Sequence, residues 1–241
     1  MSLKKVSPYG NMYIFISHTW NPVKGKCGYG CLYCYVNKWG QKRSPIHIDE
    51  RELRSDLGSG NFIFVCSGCD LFHPNIPDEW IGRVIHHARQ YQDNRYLLHP
   101  KNPGRLLEIG YSGLSWPGES TVCVTIESNR WYDQMGTASE PEERISCLSR
   151  IGDRKMITVE PVMDFDTLEF SEQIIMCKPC QVNIGADSCG NDLTEPSRSK
   201  LEDLIAALFP HTKVHLKKNL RRILPEHRLY SQEVNSIQPV G

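Results

Sequence analysis

Residues 62–70 read Phe62-Ile63-Phe64-Val65-Cys66-Ser67-Gly68-Cys69-Asp70, an unbroken apolar run that ends on a glycine turn and a carboxylate. After it, Pro77-Asp78-Glu79 opens a stretch with Ile81, Val84, Ile85 and Ala88 at helical spacing. A strand that is apolar on both faces and leads into an amphipathic helix is the βα unit of a parallel sheet covered on both sides. The unit recurs. Strands are predicted at Tyr13–Ser17 before this stretch and at Arg95–Leu98, Val122–Glu127, Met156–Glu160, Gln181–Gly185 and Lys213–Leu216 after it. Helices are predicted from Ile48-Asp49-Glu50 to near Gly58, from Glu140-Pro141-Glu142-Glu143 with Ile145 and Leu148 inward, from Asp166 to Met176, and from Pro196 to Leu208. The rhythm defines an α/β protein, a partial TIM-like barrel of parallel strands, roughly (β/α)6.

The chain of 241 residues suits one such domain, residues 1–223, followed by a polar C-terminal tail, residues 224–241. With 23% charged and 9% aromatic residues the composition is globular, and 28 basic against 28 acidic residues removes any global electrostatic case for a nucleic-acid partner. The longest apolar runs, about five residues, fall far short of the roughly 18 of a membrane span. Met1-Ser2-Leu3-Lys4-Lys5 has no apolar signal region, so a cytoplasmic location is expected, and the ten cysteines read as thiols or metal ligands before disulfides.

In such barrels ligands gather where strands end. The expected ends are Ser17-His18-Thr19-Trp20, Ser67-Gly68-Cys69-Asp70, Pro100-Lys101-Asn102, Glu127-Ser128-Asn129, Glu160-Pro161 and Gly185-Ala186-Asp187, which together describe one polar mouth. In the loop after the first strand stands Cys27-Gly28-Tyr29-Gly30-Cys31-Leu32-Tyr33-Cys34. Iron–sulfur cubanes take four thiolates, so three close cysteines without a fourth leave one iron open, as a catalytic metal site requires. The bland alternative is a structural zinc site completed by His18 or His47.

The spacing of Cys27, Cys31 and Cys34, with Tyr33 before the third, resembles the radical S-adenosylmethionine superfamily. Thr19-Trp20-Asn21-Pro22-Val23, Ser67 with Asp70-Leu71-Phe72-His73-Pro74, Lys101-Asn102-Pro103, Val124-Thr125-Ile126-Glu127-Ser128-Asn129 and Val159-Glu160-Pro161-Val162 narrow the likeness to a phage-associated family of unassigned reaction, itself similar to spore photoproduct lyase. The resemblance implies that Cys27, Cys31 and Cys34 hold a [4Fe-4S] cluster whose open iron is chelated by S-adenosylmethionine. It sets Tyr33, Ser67, Gly68, Asp70, Glu127 and Glu160 around the cofactor and calls for an external one-electron reductant of flavodoxin or ferredoxin type. Reductive cleavage would yield a 5'-deoxyadenosyl radical acting on a nucleic-acid base or nucleotide; a small metabolite or peptide substrate, and a DNA-associated module with a merely structural cluster, are the competing readings. Two positions depart from the expected pattern: Cys69 stands where serine is expected and Pro100 where threonine is.

Cys69, beside Asp70 in the mouth, is a candidate hydrogen-atom donor, the bland reading being a passive thiol. Glu127 and Glu160 end buried strands, where an unpaired carboxylate is costly; cofactor hydroxyls or its ammonium are one set of partners and Lys101 or Lys217 another. Cys66 with Cys69 and Cys177 with Cys180 fall at opposite ends of parallel strands, about 15–20 Å apart, and so make no second metal site. Lys213, Lys217, Lys218, Arg221 and Arg222 form a basic run able to contact phosphates, or merely a solvated face, with Lys38, Lys42, Arg43 and Trp39 as a second, weaker patch.

Overall fold

Alternation along a strand decides which side chains meet the helices and which line the interior. The computed structural model describes residues 3–7, 10–39, 44–110, 116–152 and 154–227, those of Trp39 without its side chain. Its strands are β1 (Lys4–Lys5), β2 (His18–Trp20), β3 (Val23–Lys24), β4 (His47–Ile48), β5 (Phe62–Val65), β6 (Arg95–Leu98), β7 (Glu119–Thr125), β8 (Lys155–Val159), β9 (Gln181–Ile184) and β10 (Lys213–Leu216). Its helices are α1 (Asp78–Ala88), α2 (Pro103–Glu108), α3 (Pro141–Ser149), α4 (Thr167–Met176) and α5 (Arg198–Leu208). Eight strands make one sheet in the order β1-β2-β5-β6-β7-β8-β9-β10, while β3 and β4 pair separately. Every neighbouring pair in the large sheet is parallel except β1 with β2. The architecture is the partial α/β barrel expected from the sequence.

On one face of the sheet, Val122, Val124, Ile157, Val182 and Ile184 pack under helix residues such as Ile81, Ile145, Phe170 and Leu204. The other face carries Phe62, Phe64, Leu97 and Cys123, and these meet Tyr13 and Ile16 of the N-terminal segment. Inward positions farther along the strands are polar. His99 faces Thr125 at 3.0 Å, and Thr125, Thr158, Asn183 and His215 follow in register across β7 to β10.

Two local expectations are corrected. Residues 13–16 form no strand: Ile16 N–H donates to the Tyr13 carbonyl at 3.0 Å in a turn, and the first parallel strand is His18–Trp20. The apolar run packs on the inner face of the sheet instead of lying within it. The helix expected from Ile48 to Gly58 is only a single tight turn, Glu52–Arg54, because Ile48 belongs to β4 and Asp49 turns its side chain to Lys24 and to the Arg51 amide. Conversely, α2 follows Lys101-Asn102, with Pro103 at its first position, where a missing N–H costs nothing. Leu224 is buried in the core, so packing continues past residue 223, and residues 228–241 of the expected tail lie outside the described residues.

Burial holds two histidines neutral. His99 falls to about 3, through burial and then the charges of Lys101 and Lys217, and His215 falls to about 4, through burial and then Lys217 and Lys213. Below the ordinary histidine value the unfolded chain binds protons that the folded chain refuses, so these groups subtract stability as pH falls from about 6.5 to about 4, at roughly 1.4 kcal/mol per unit per histidine at full difference. His99→Gln and His215→Gln should therefore lose less stability than the wild type between pH 6.5 and 4.5 in urea unfolding. Parallel pH profiles would contradict this.

Candidate active site

The cysteine loop leaves β3 and folds back over the carboxyl ends of β5 to β7. Tightness is enforced by glycine: a Cβ on Gly28 would stand 2.3 Å from Nε2 of His73, whose ring makes an edge contact with Tyr29 at 4.4 Å. Cys31 is buried and Cys27 and Cys34 are half-buried, in an apolar surround of Tyr29, Met135, Ala138 and Met163. A hydrogen bond from the Cys69 thiol, helped by the backbone amides of Tyr29 and Asp70, lowers the Cys27 pKa against the effect of burial. Burial pushes Cys31 up.

Among the described residues no three His, Cys, Asp or Glu side chains converge on a point that a single metal ion could occupy. His47, one zinc partner considered above, turns Nδ1 to the Pro45 carbonyl at 2.9 Å, and His18 lies at the start of β2, away from the carboxyl ends. A cubane makes a different demand: its thiolates bind separate irons, so three sulfurs on a short loop fit it without meeting at one point.

Beside the loop lies a buried charge group. Glu127, fully buried just past β7, accepts from the Tyr33 hydroxyl and from Lys101 Nζ on Oε1, and from Arg144 Nη1 at 2.7 Å on Oε2. Lys101 also donates to the Tyr33 oxygen at 2.8 Å. Burial alone would raise the Glu127 pKa, but Arg144 and Lys101 outweigh it and hold the carboxyl far below the usual carboxylate range. Burial and the neighbouring Glu127 charge raise Tyr33 well above an ordinary phenol, which keeps it a donor.

Asp70 does not point a free carboxylate into the mouth. Its Oδ2 accepts from the Lys101 amide at 2.7 Å and its Oδ1 from the Phe72 amide at 2.8 Å, so it braces the end of β6 through the backbone. Burial nevertheless pushes its pKa up to about 7. Asn21 organises the turn after β5: its Oδ1 accepts from the Ser67 hydroxyl and from the Gly68 amide, each at 3.2 Å. Glu160 forms a second group. Lys217 Nζ donates to Oε2, while Asn11 and Asn219 donate to Oε1, each at 2.8 Å.

The structure thus gathers Cys27, Cys31, Cys34, Tyr33, Cys69 and Glu127 around one loop, with Ser67, Gly68 and Asp70 on the adjoining turn, and gives Glu160 its own partners. Both glutamates sit in ion pairs. The basic run does not form one surface: Lys217 is 6% exposed and committed to Glu160, Arg222 pairs with Glu195, and Lys213 starts β10 at the end away from the mouth. Lys42, Arg43 and the Trp39 side chain lie outside the described residues. Cys177 is buried at the end of α4 and Cys180 is exposed. Sequence reading missed Arg144, which is fully buried. Its signal was positional, since Pro141, Arg144, Ile145 and Leu148 all fall on the buried stripe of α3.

The fold is a partial α/β barrel, here with a cysteine loop at its carboxyl mouth, and the barrel itself is similar to solved structures of spore photoproduct lyase. A point mutant of that enzyme superposes with a TM-score of 0.59 at 8% identity, over 89% of this chain and 80% of the other. A mutant with bound AdoMet and dinucleoside spore photoproduct gives 0.52 at 11% identity, over 88% of this chain and 66% of the other. No curated protein matches. A family model described as "Protein of unknown function (DUF5131)" matches residues 12–178, and the chain belongs to that family. No helix among the described residues is long and apolar enough to cross a membrane.

Glu127→Gln leaves Arg144 buried without its anion. Breaking a buried pair on one side costs roughly 3–5 kcal/mol. Urea unfolding of the metal-free protein should register that loss, and Glu160→Gln, whose partners include two neutral amides, should lose clearly less. Equal losses would contradict the central place given to Glu127.

Proposed function

We propose that this chain is a radical S-adenosylmethionine enzyme, with Cys27, Cys31 and Cys34 holding a [4Fe-4S] cluster. The observation that carries the reading is the juxtaposition of these three thiols, on one glycine-tightened loop, with the Tyr33–Glu127–Lys101 group at the barrel mouth. Held by Cys27, Cys31 and Cys34, the cluster would supply the one electron needed to cleave S-adenosylmethionine reductively to methionine and a 5'-deoxyadenosyl radical. A flavodoxin- or ferredoxin-type carrier is the external source of that electron.

The chain's own residues bind and shield. Tyr29, Met135, Ala138 and Met163 keep water from the thiolates. Tyr33 would flank the cofactor, and the turn Ser67-Gly68, braced by Asn21, would offer it backbone and hydroxyl groups. Glu127 would accept from a ribose hydroxyl or the methionine ammonium in place of Lys101 or Tyr33, while Arg144 keeps its charge compensated. Asp70 contributes by holding the Lys101 backbone in place, and Glu160, past the next strand, would meet the cofactor's polar groups on giving up one of its present donors, Lys217, Asn11 or Asn219.

We assign Cys69 as hydrogen-atom donor to the product radical: its S–H bond breaks homolytically, a C–H bond forms on the substrate, and the thiyl radical is returned to thiol by an electron from the external reductant and a proton. Cys69→Ala should cleave S-adenosylmethionine like the wild type yet yield altered products; identical products would overturn the assignment.

The substrate class we infer is a nucleic-acid base or nucleotide, supported by the dinucleoside held in related folds and by exposed Lys218 beyond the end of β10. The pairing of Lys217 and Arg222 favours a second reading, a small metabolite or peptide. Retention of oligonucleotide at about 0.15 M salt, where surface charges are screened beyond roughly 8 Å, separates the two.

The primary test is anaerobic reconstitution. The wild type should bind iron and acid-labile sulfide and, with a strong reductant, convert S-adenosylmethionine to 5'-deoxyadenosine. Alanine at Cys27, Cys31 or Cys34 should abolish the brown chromophore, and alanine at Cys177 or Cys180 should leave it. Full iron and sulfide in all three loop variants would overturn the proposal.

A further inference from the structure

Arg144 is a buried cation that joins the charge group of the mouth to the turn lying against the cysteine loop. Nη1 donates to the Thr125 carbonyl at 2.6 Å and to Glu127 at 2.7 Å, Nε donates to the Ser139 carbonyl at 2.7 Å, and Nη2 lies 3.5 Å from Met135 Sδ. One planar guanidinium therefore ties the end of β7 to both ends of the segment from Met135 to Ser139. A fork of this kind fixes direction as well as distance.

That segment grips the cysteine loop. The Gln134 carbonyl accepts from the Leu32 amide at 2.9 Å, the Tyr29 carbonyl accepts from the Thr137 amide at 2.8 Å, and the Met135 carbonyl accepts from the Cys31 thiol at 3.3 Å. Gly136 permits the approach. At φ 70° and ψ −129° it occupies a conformation that side chains resist, and a Cβ there would stand 2.0 Å from the Tyr29 carbonyl oxygen and 3.0 Å from the Cys31 nitrogen. The thiol contact ends once Cys31 releases its proton to solvent and binds iron as a thiolate, but the two backbone bonds do not depend on that proton.

We propose that Arg144 is a positioning residue for the iron–sulfur cluster: together with the turn around Gly136 it forms a clasp that fixes the backbone from Tyr29 to Leu32, and with it the direction of the Cys31 thiolate, although it bonds to no cysteine. The inference rests on Cys27, Cys31 and Cys34 being the cluster ligands, and it goes beyond that reading by giving a residue outside the motif a part in cluster retention. A loop whose ligands are held before the cluster arrives has less to order on binding and less freedom to release an iron corner to a competitor.

The alternative is that Arg144 serves only to neutralise Glu127. Arg144→Lys retains the charge but lacks the fork that reaches Ser139 and Met135, and Gly136→Ala loosens the clasp from its other side without touching Glu127. Leu208→Ala, a fully buried position on α5, provides a destabilised control away from the site. In reconstituted protein kept anaerobic, an iron chelator should strip the Arg144→Lys and Gly136→Ala variants at least about tenfold faster than the wild type, the scale on which supporting residues affect metal retention, with Leu208→Ala near the wild-type rate. In metal-free protein, hydrogen–deuterium exchange at the Leu32 and Thr137 amides should quicken in the two clasp variants and not in the control. Wild-type iron release in both clasp variants, or equal acceleration in the control, would overturn the proposal; faster exchange with unaltered release would leave the clasp merely structural and overturn it as well. If the wild type takes up no cluster, the ligand reading fails, and the exchange data still decide whether the clasp exists.

Discussion

A carboxylate sealed from water must be compensated or it will not stay ionised, and Glu127 is sealed. Its compensation comes from three separate parts of the chain: Tyr33 on the cysteine loop, Lys101 past the end of β6, and Arg144 on α3. Segments more than a hundred residues apart are thereby held to one charge. Lys101 and Arg144 supply the compensating charge and Tyr33 a further hydrogen bond, and together they give this side of the mouth a defined shape.

The second constraint is the N-terminal segment. Tyr13 stacks on Phe15 with ring centres 5.3 Å apart and packs against Phe64 and His99, so the inner face of the sheet is filled by the chain itself. Lys217, which neutralises Glu160, lies 4.7 Å from the centre of the Tyr13 ring. Asn11 in turn reaches Glu160 and Ser188. The segment thus crosses the inner face from Phe62 at the start of β5 to Glu160 and Ser188 past the ends of β8 and β9, and the cysteine loop lies over the neighbouring ends of β5 to β7.

Much of this was legible in the residue order. The stripe Ile81, Val84, Ile85 and Ala88 marks the buried face of α1 directly, and the apolar runs at β5 and β7 to β9 announce strands buried on both faces. The cysteine loop stood out by spacing alone. Where reading failed, tertiary context had overridden local pattern. Tyr13–Ser17 has the composition of a strand but lies across one, and Ile48 is drawn into pairing with Val23 before a helix can start. Arg144 went unread because sequence shows a charge but not its distant counter-charge, whereas Lys217 stood both in the basic run and among the partners expected for the two glutamates, and it pairs with Glu160. A cation placed on an apolar stripe, as Arg144 is, was the available warning.

On the proposed reading, three cysteines leave one iron of a cubane open to S-adenosylmethionine. The most direct measurement is the electron paramagnetic resonance spectrum of the reconstituted, singly reduced protein with and without S-adenosylmethionine. The account predicts a low-temperature cluster signal whose g-values shift on addition of S-adenosylmethionine. A cluster signal that ignores it, or a protein that yields none after full reconstitution, would contradict the account.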